Sequence, residues 1–202
     1  MADCGFKKKA IHQKITGIQY IGTMAEHIHM KPEPSPFLVE NVDLLPRGRA
    51  LDVAMGRGWN AVFLAGIGFE TEGVDISPEA VNDALDLAAA AGVRVRALVA
   101  DLEQGYLFEK DAYDLIVCFN YLHRPLFQTM KDALKVGGMV VYETFIVDQA
   151  RFGKPTNPDH LLKHNELLSL FREFRCLRYR EGVIGEKNAI AGIIAQKTGK
   201  TV

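Results

Sequence analysis

Short apolar segments typical of β-strands alternate along most of this chain with segments typical of helices. The predicted strands are residues 50–54, 72–75, 95–100, 113–119, 139–145, 176–180 and 190–196, and the predicted helices are residues 60–65, 80–91, 126–134 and 164–174. Alternation of this kind indicates βαβ units, which place strands side by side in parallel with helices on both faces of the sheet. We therefore predict an α/β fold with a mostly parallel, seven-stranded sheet.

Local signals support these boundaries. Tyr113–Phe119 is a nearly continuous apolar run, as expected for a strand that is buried on both faces. Ser77 and Pro78 are suited to the N-cap and first position of a helix that Gly92 ends. Gly137–Gly138 is predicted to be a turn before the fifth strand. The last two strands follow each other without a helix, so we expect them to form an antiparallel hairpin at one edge.

The first part of the chain differs from the rest. Residues 1 to about 35 mix polar and apolar residues, and Pro32, Pro34 and Pro36 close this segment as an extended joint. A length of 202 residues suits one domain with a short extension. We therefore expect an extension at 1–46 that covers the ligand site and a ligand-binding domain at 47–202.

Charge and cysteine usage narrow the class of protein. Lys and Arg total 24 and Asp and Glu total 25, a net charge of −1, which disfavours a dedicated nucleic-acid binder. Cys4, Cys118 and Cys176 are far apart and in no C-x-x-C pattern, so neither a disulfide framework nor a cysteine-rich zinc site is expected. That cysteine usage suits a reducing compartment. With no apolar transmembrane stretch and no secretory signal pattern, we predict a cytoplasmic protein.

A metal site is not expected. His27 and His29 alternate with apolar residues, and two imidazoles in that arrangement could ligate a metal ion. A third ligand is not evident beside them. The segment is instead predicted to be part of a lid over the ligand site, with His29 reaching into it.

Acidic residues stand at the ends of three successive predicted strands. Asp52 precedes the loop of Gly56 and Gly58, Asp75 ends the second strand, and Asp101 follows the third. Phe119, Asn120 and Tyr121 follow in the same way at the end of the fourth strand. In open α/β sheets the ligand lies beyond the carboxyl ends of the strands, so these residues are predicted to share one site. Their carboxylates suit a ligand rich in hydroxyl and amine donors.

The sequence of the glycine-rich loop is compatible with either of two classes of ligand. Residues 56–61 fit the G-x-G-x-x-[GA] pattern of dinucleotide-binding folds, and Asp75 lies near the distance expected for a ribose contact. The charge of Asp52 at the strand end would disfavour a nearby pyrophosphate and favour a cationic ligand. S-Adenosylmethionine carries an ammonium and a sulfonium and needs no phosphate site. A nicotinamide-dependent oxidoreductase therefore stays the alternative enzyme class.

Five ordered motifs resemble those of the class I S-adenosylmethionine-dependent methyltransferases, and together they cover roughly residues 47–197. The motifs are residues 50–65, 73–80, 100–103, 113–119 and 134–138. This resemblance implies a Rossmann-like fold. Within the class, Gly-x-Gly-x-Asn before an apolar helix resembles the tellurite-resistance (TehB-like) small-molecule methyltransferases. Two residues depart from the pattern, since Ala54 stands where the family commonly has Gly and Trp59 where the subgroup often has Arg.

The resemblance implies a set of cofactor contacts. Asp52 and the backbone of Gly56 and Gly58 would hold the methionyl end of S-adenosylmethionine. Asp75 would accept hydrogen bonds from both ribose hydroxyls. Ile76 and Leu102 would lie on either side of the adenine ring, and Asp101 would accept a hydrogen bond from its amine. Phe119, at the end of the fourth strand, is also assigned to the cofactor site.

The methyl acceptor is expected next to the segment after the fourth strand. Methyl transfer is an in-line displacement, so positioning is the main contribution of the protein, and a base is needed only if the acceptor must lose a proton. His123 is the candidate general base, with a structural role in capping the next helix as the alternative. Asn120 and Tyr121 are candidates for shaping the acceptor pocket. Glu143, with the two residues after it, is expected to line the acceptor side.

We therefore predict an S-adenosylmethionine-dependent methyltransferase acting on a small molecule, such as a metalloid oxyanion or a thiol. Two alternatives stay open, namely the nicotinamide-dependent oxidoreductase and a non-catalytic module that binds S-adenosylmethionine. A nucleic-acid partner and a membrane are not expected. The oligomeric state and the identity of the acceptor do not follow from the sequence.

Overall fold

The computed structural model of the chain describes residues 33–185 and 188–199. Seven strands form one sheet: β1 Arg49–Val53, β2 Glu70–Asp75, β3 Val95–Val99, β4 Tyr113–Phe119, β5 Leu134–Phe145, β6 Arg175–Ile184 and β7 Asn188–Gln196. Five α-helices surround it: α1 Pro36–Glu40, α2 Trp59–Gly66, α3 Pro78–Ala91, α4 Leu126–Ala133 and α5 Glu166–Leu170. Short 3-10 helices cover Val42–Leu44, Val147–Arg151 and Pro158–His160.

The strand order is β3-β2-β1-β4-β5-β7-β6. The pairs from β3 through β5 are parallel, and β7 is antiparallel to both β5 and β6. Strands β2 and β3 lie on one side of β1, and all strands after β3 lie on its other side, so the order of the strands changes side between β1 and β4. The predicted fold, a mostly parallel seven-stranded sheet with an antiparallel hairpin at one edge, is confirmed.

The core lies in two layers, one on each face of the sheet. One layer contains residues of α1, α2 and α3 packed on alternate positions of β4, including Leu115 and Val117. The other contains residues of α4 and α5 packed on the intervening positions, including Ile116 and Cys118. Because both faces are covered, β4 is buried along most of its length, which explains its nearly continuous apolar sequence.

Helix α3 follows the capping rules expected from its sequence. The Ser77 hydroxyl accepts a hydrogen bond from the Ala80 N–H, and Pro78 occupies the first turn. The helix ends at Gly92, whose φ of 71° is a left-handed conformation that glycine adopts without steric cost. The local sequence therefore sets both ends of this helix.

Two sequence predictions are wrong in detail. Gly137–Gly138 is not a turn before the fifth strand but lies inside β5, which begins at Leu134 and carries an irregularity in its pairing with β4. The Gly137 N–H donates to the Lys197 carbonyl, and this long-range bond keeps the two glycines in the strand. The helix predicted at 164–174 is shorter, because only Glu166–Leu170 is helical, and an irregular segment carries the chain from there to β6.

The described part of the N-terminal extension packs against the sheet. Phe37 and Leu38 of α1 are buried in the same core layer as α2, so this part of the extension is anchored to the domain. His27, His29 and the rest of residues 1–32 lie outside the described residues, and the expectation that this segment covers the ligand site stays a prediction. Within the described ranges, no helix combines the length and the apolar character needed to cross a membrane.

Candidate active site

The parallel pairing brings the carboxyl ends of four strands to one edge of the sheet. In the register, Asp52 lies beside Val117 of β4, and Asp75 of β2 lies beside Val99 of β3. Asp101 follows β3 by two residues and Asn120 follows β4 directly. The structure thus places at one edge of the sheet the residues that the sequence assigned to one site.

The loop between β1 and α2 has an unusual backbone conformation. Ala54, Gly56 and Gly58 all have positive φ, of 54°, 52° and 77°. Such values cost an L-residue about 1–2 kcal/mol, which gives a physical reason for the Gly that the methyltransferases resembled by the sequence commonly have at the position of Ala54. A Cβ on Gly58 would lie 2.5 Å from the Cβ of Ala84, whereas a Cβ on Gly56 would meet no atom within 4 Å. Gly58 therefore permits helix packing, and Gly56 leaves the backbone open to a ligand.

Asp52 is a buried acid, with 1% of its surface exposed. Its Oδ2 is buried and accepts no hydrogen bond from the described residues. Burial raises the pKa of Asp52 to about 8, the Ala61 N–H opposes this effect, and the charge of Asp75 adds to it. Within residues 33–185 and 188–199 Asp52 forms no ion pair, and the ammonium of a ligand would supply a positive charge beside it.

Asp75 holds the loop together as well as facing the site. Its Oδ2 accepts from the Gly56 N–H at 2.8 Å, and its Oδ1 accepts from the Ser77 N–H at 2.9 Å. A carboxylate offers about four lone-pair sites, so each oxygen can accept one further hydrogen bond. The carboxylate is therefore suited to bind two hydroxyl groups while fixing the glycine-rich loop.

The residues predicted to contact the adenine ring lie directly after Asp75 and shortly after β3. Ile76 is a large apolar residue that is 62% exposed, although it is held in position between Asp75 and the cap of α3. Leu102 is buried. Asp101 fixes the turn after β3, since its Oδ1 accepts from the Glu103 N–H at 2.8 Å. An exposed apolar side chain beside the acidic edge favours a flat apolar ligand group.

A polar cluster forms between the segments after β3 and β4. The Tyr121 hydroxyl donates to Glu103 Oε1 at 3.3 Å, and His123 Nδ1 lies 4.0 Å from the same oxygen. Burial, together with the charge of Glu103, raises the pKa of Tyr121, so its hydroxyl stays a donor. Asn120 has a φ of 55°. Strained residues of this kind are concentrated at functional sites.

Sequence reasoning assigned no role to Glu103. It stands in an acid-containing turn after β3, but its contacts with Tyr121 and His123 span 18 and 20 positions and have no sequence signal. Arg124 was also not singled out. Its guanidinium donates to both carboxylate oxygens of Glu166 and to the carbonyls of Asp159 and Leu161, so it anchors the 159–166 segment beside the His123 backbone.

The two remaining predicted residues of the site, Phe119 and Glu143, are both buried, but they have different contacts. Phe119 is 8% exposed and belongs to the core layer below the site. Glu143 is also buried, and it forms an ion pair with Arg180 at 2.6 Å. The Arg180 guanidinium lies 4.3 Å from the centre of the Phe37 ring. Burial raises the pKa of Glu143 although Arg180 lowers it. The structure therefore gives Glu143 an internal partner beside α1.

Among the described residues, no group of three or more His, Cys, Asp or Glu side chains is placed to hold a metal ion. The carboxylates of the acidic edge are hydrogen-bond acceptors, and the hydroxyl and ammonium groups of an organic ligand are suitable donors to them.

Comparison with known proteins agrees with this geometry. Residues 50–138 match the protein family described as "Methyltransferase domain". Hemagglutinin 1 of Eikenella corrodens is 29% identical over 153 residues, which make up 71% of this chain and 49% of that protein. The chain thus spans about half the length of this curated relative.

Solved structures share the fold. TehB from Haemophilus influenzae superposes with a TM-score of 0.74 at 17% identity, covering 93% of this chain and 67% of that one. A protein of Methanosarcina mazei described among S-adenosylmethionine-dependent methyltransferases superposes with a TM-score of 0.66 at 19% identity, covering 82% and 99%. At these identities the likeness shows the fold alone.

Proposed function

We propose that this chain is a class I S-adenosylmethionine-dependent methyltransferase that transfers a methyl group to a small-molecule acceptor, since residues 50–138 match a family described as "Methyltransferase domain". The observation that supports the proposal best is the acidic edge, where one oxygen of the buried Asp52 accepts no hydrogen bond from the described residues and Asp75 joins the glycine-rich loop to the next helix. A buried acid without a cation is costly, and the ammonium of the cofactor would offset that cost.

The residues present fit this cofactor. We propose that Asp52 binds its ammonium and that the open backbone at Gly56 allows close approach. Asp75 has lone pairs left for the ribose hydroxyls. Ile76 offers exposed apolar surface on the adenine side, where the buried Leu102 would border the ring, and Asp101 offers a carboxylate for the adenine amine. When bound, S-adenosylmethionine supplies a methyl group on a positively charged sulfur that leaves as a neutral thioether.

The chain's own part in the reaction is to bind, orient and receive a proton. We assign the acceptor to the side of Asn120, Tyr121 and His123, where a partly exposed histidine and a tyrosine donor both lie near Glu103 beyond β4. Thiols and metalloid oxyanions are the acceptor classes proposed. A thiol loses its proton during transfer, whereas an oxyanion already has a free lone pair, so only the first requires a base.

A direct assay tests the proposal. The purified chain should convert S-adenosylmethionine to S-adenosylhomocysteine in the presence of a working acceptor, and methyl-labelled cofactor should transfer its label to that acceptor. A chain that binds the cofactor but transfers no label to any member of a panel of thiols, phenols, amines and oxyanions would support the non-catalytic binding module instead.

The role of His123 is open to a separate test. If His123 is a general base, His123→Ala should lower kcat by about a hundredfold or more while the affinity for S-adenosylhomocysteine stays unchanged. The rate of the unmodified chain should also fall on acidification, because a protonated imidazole accepts no proton. Full activity of the variant with an unaltered pH profile would make His123 structural. A cytoplasmic location stays a prediction from the sequence.

A further inference from the structure

We propose that Glu103 is a positioning residue that fixes the imidazole of His123, so that its Nε2 receives the proton of a hydroxyl or thiol acceptor. The inference rests on the proposed methyltransferase function and narrows its acceptor class. It follows from the juxtaposition of one carboxylate oxygen with a phenol hydroxyl at 3.3 Å and an imidazole nitrogen at 4.0 Å.

The backbone around this cluster is held on all sides. The Tyr142 hydroxyl donates to the Tyr121 carbonyl at 2.6 Å, and the Leu126 N–H donates to the His123 carbonyl at 3.0 Å. The Glu103 N–H is bonded to Asp101. Because the three backbones are fixed, the carboxylate and the imidazole approach each other from defined directions. A separation of 4.0 Å is long for a hydrogen bond, but such bonds in ligand-free sites often tighten when ligands bind.

The two nitrogens of the imidazole then have different tasks. The Glu103 carboxylate lies on the Nδ1 side of the ring, so it can accept a hydrogen bond from a proton on Nδ1 but not from one on Nε2. In a neutral imidazole the other nitrogen, Nε2, is then an acceptor. Glu103 thus selects the form of His123 that can act as a base. The side chain of His123 is 25% exposed, which leaves room for a ligand to reach Nε2.

This arrangement has a chemical consequence for the acceptor. An O–H or S–H group gives its proton to Nε2, its lone pair forms the new bond to the methyl carbon, and the electron pair of the broken carbon–sulfur bond stays on the sulfur of the leaving thioether. His123 gains one positive charge and the sulfonium loses one, so the charge balances. A metalloid oxyanion would form the new bond through the lone pair of its metalloid atom, so it need not lose a proton and would not use the cluster.

The cluster also connects the base to the cofactor side of the site. Asp101, proposed for the adenine amine, fixes through its Oδ1 the same turn that carries Glu103. Binding of the cofactor at Asp101 therefore acts on the segment that positions His123. Gln104, the next residue in the turn, is exposed and provides a matched control.

Imidazole ¹⁵N NMR tests the proposal without an acceptor. Spectra of the full chain with S-adenosylhomocysteine are recorded at about pH 8.5, where imidazoles are neutral, and the His123 signals are assigned with His123→Gln. We expect the proton of His123 on Nδ1 in the unmodified chain. Glu103→Ala should lose about half or more of that form in favour of Nε2–H, and Gln104→Ala should not change it.

Kinetics with a working thiol or phenol acceptor give a second measure. Glu103→Ala should lower kcat about tenfold to a hundredfold with KM for S-adenosylmethionine unchanged, and Gln104→Ala should keep the full rate. Glu103→Gln, which keeps a hydrogen-bond acceptor for Tyr121, serves if the alanine variant does not fold, and its loss of charge should still release the Nδ1 proton.

The outcomes separate the two proposals. An unchanged position of the His123 proton in both Glu103 variants, in a chain that binds S-adenosylhomocysteine by calorimetry, overturns the role of Glu103 and leaves the methyltransferase function standing. Efficient transfer to selenite at the same rate in both Glu103 variants overturns the acceptor class. A chain that binds no S-adenosylhomocysteine contradicts the proposed function, and with it the inference.

Discussion

At the scale of single residues, burial strongly changes the pKa of Asp52. Because burial raises its pKa to about 8 from an ordinary value of 3.8, the folded chain without ligand keeps a proton that the unfolded chain releases at much lower pH. Such an acid stabilises the fold most below about pH 4. Its contribution is lost as pH rises from about 4 to about 8.

The stability of the ligand-free chain should therefore fall with rising pH, by up to about 1.4 kcal/mol per pH unit in this range. Urea unfolding at pH 5 and pH 8 measures the change. Asp52→Asn cannot ionise, so its free energy of unfolding should lack this part of the pH dependence. If the variant and the unmodified chain lose equal stability between the two pH values, Asp52 is ionised in the folded chain at pH 5.

Asp75 has a second role that its sequence position does not reveal. Since both carboxylate oxygens accept backbone N–H groups of the loop and of the α3 cap, Asp75→Ala leaves two donors unpaired. We expect it to lower the free energy of unfolding by about 1–3 kcal/mol and cofactor affinity by about 2–3 kcal/mol. Calorimetry and urea unfolding measure the two effects, and Asp75→Asn, which keeps one acceptor oxygen, should show smaller losses of both.

At the scale of elements, the β1–α2 loop separates packing from ligand binding. Gly58→Ala places a Cβ against Ala84 and strains a φ of 77°, so we expect a loss of about 2–4 kcal/mol in the free energy of unfolding. Gly56→Ala has only the strain of its φ of 52°, about 1–2 kcal/mol, but its new methyl group occupies the open approach to the loop.

Gly56→Ala should therefore weaken S-adenosylhomocysteine binding at least about tenfold while the chain stays folded, because its methyl group would occupy the space proposed for the ligand. Urea unfolding and calorimetry on both variants measure the contrast. Equal affinity of Gly56→Ala and the unmodified chain would show that the ligand does not approach this part of the loop.

At the scale of the whole molecule, cofactor binding should stabilise the folded chain through mass action. At a concentration one hundred times its Kd, S-adenosylhomocysteine adds about 2.7 kcal/mol, which for a chain of this size raises Tm by about 5–10 °C. A nicotinamide dinucleotide should give no shift, since the carboxylates of the acidic edge, Asp75 among them, disfavour a pyrophosphate. A thermal-shift measurement with both ligands distinguishes the two enzyme classes, and a shift with the dinucleotide alone would reverse the assignment.

Local sequence signals were sufficient to predict the fold and the sheet edge that carries the candidate site. Strand and helix periodicity, glycines and helix caps are local signals, and the rule for parallel strands converts their order into a topology. This is why Asp52, Asp75 and Asp101 could be placed together from the sequence. Prediction from the sequence failed where long-range contacts override local preference. An example is Gly137–Gly138, which a hydrogen bond to the Lys197 carbonyl keeps within β5.

The pairing of the side chains depends on the tertiary packing and could not be predicted from the sequence. The burial of Asp52 depends on what α2 and its neighbours cover, the pairing of Glu143 with Arg180 depends on the order of β5, β7 and β6, and Glu103 meets His123 across two loops. Contacts of this kind join residues that are distant in the chain, and their distances are set by the packing of whole elements. A sequence pattern records the types of these residues, whereas the packed fold sets the distances on which their chemistry depends.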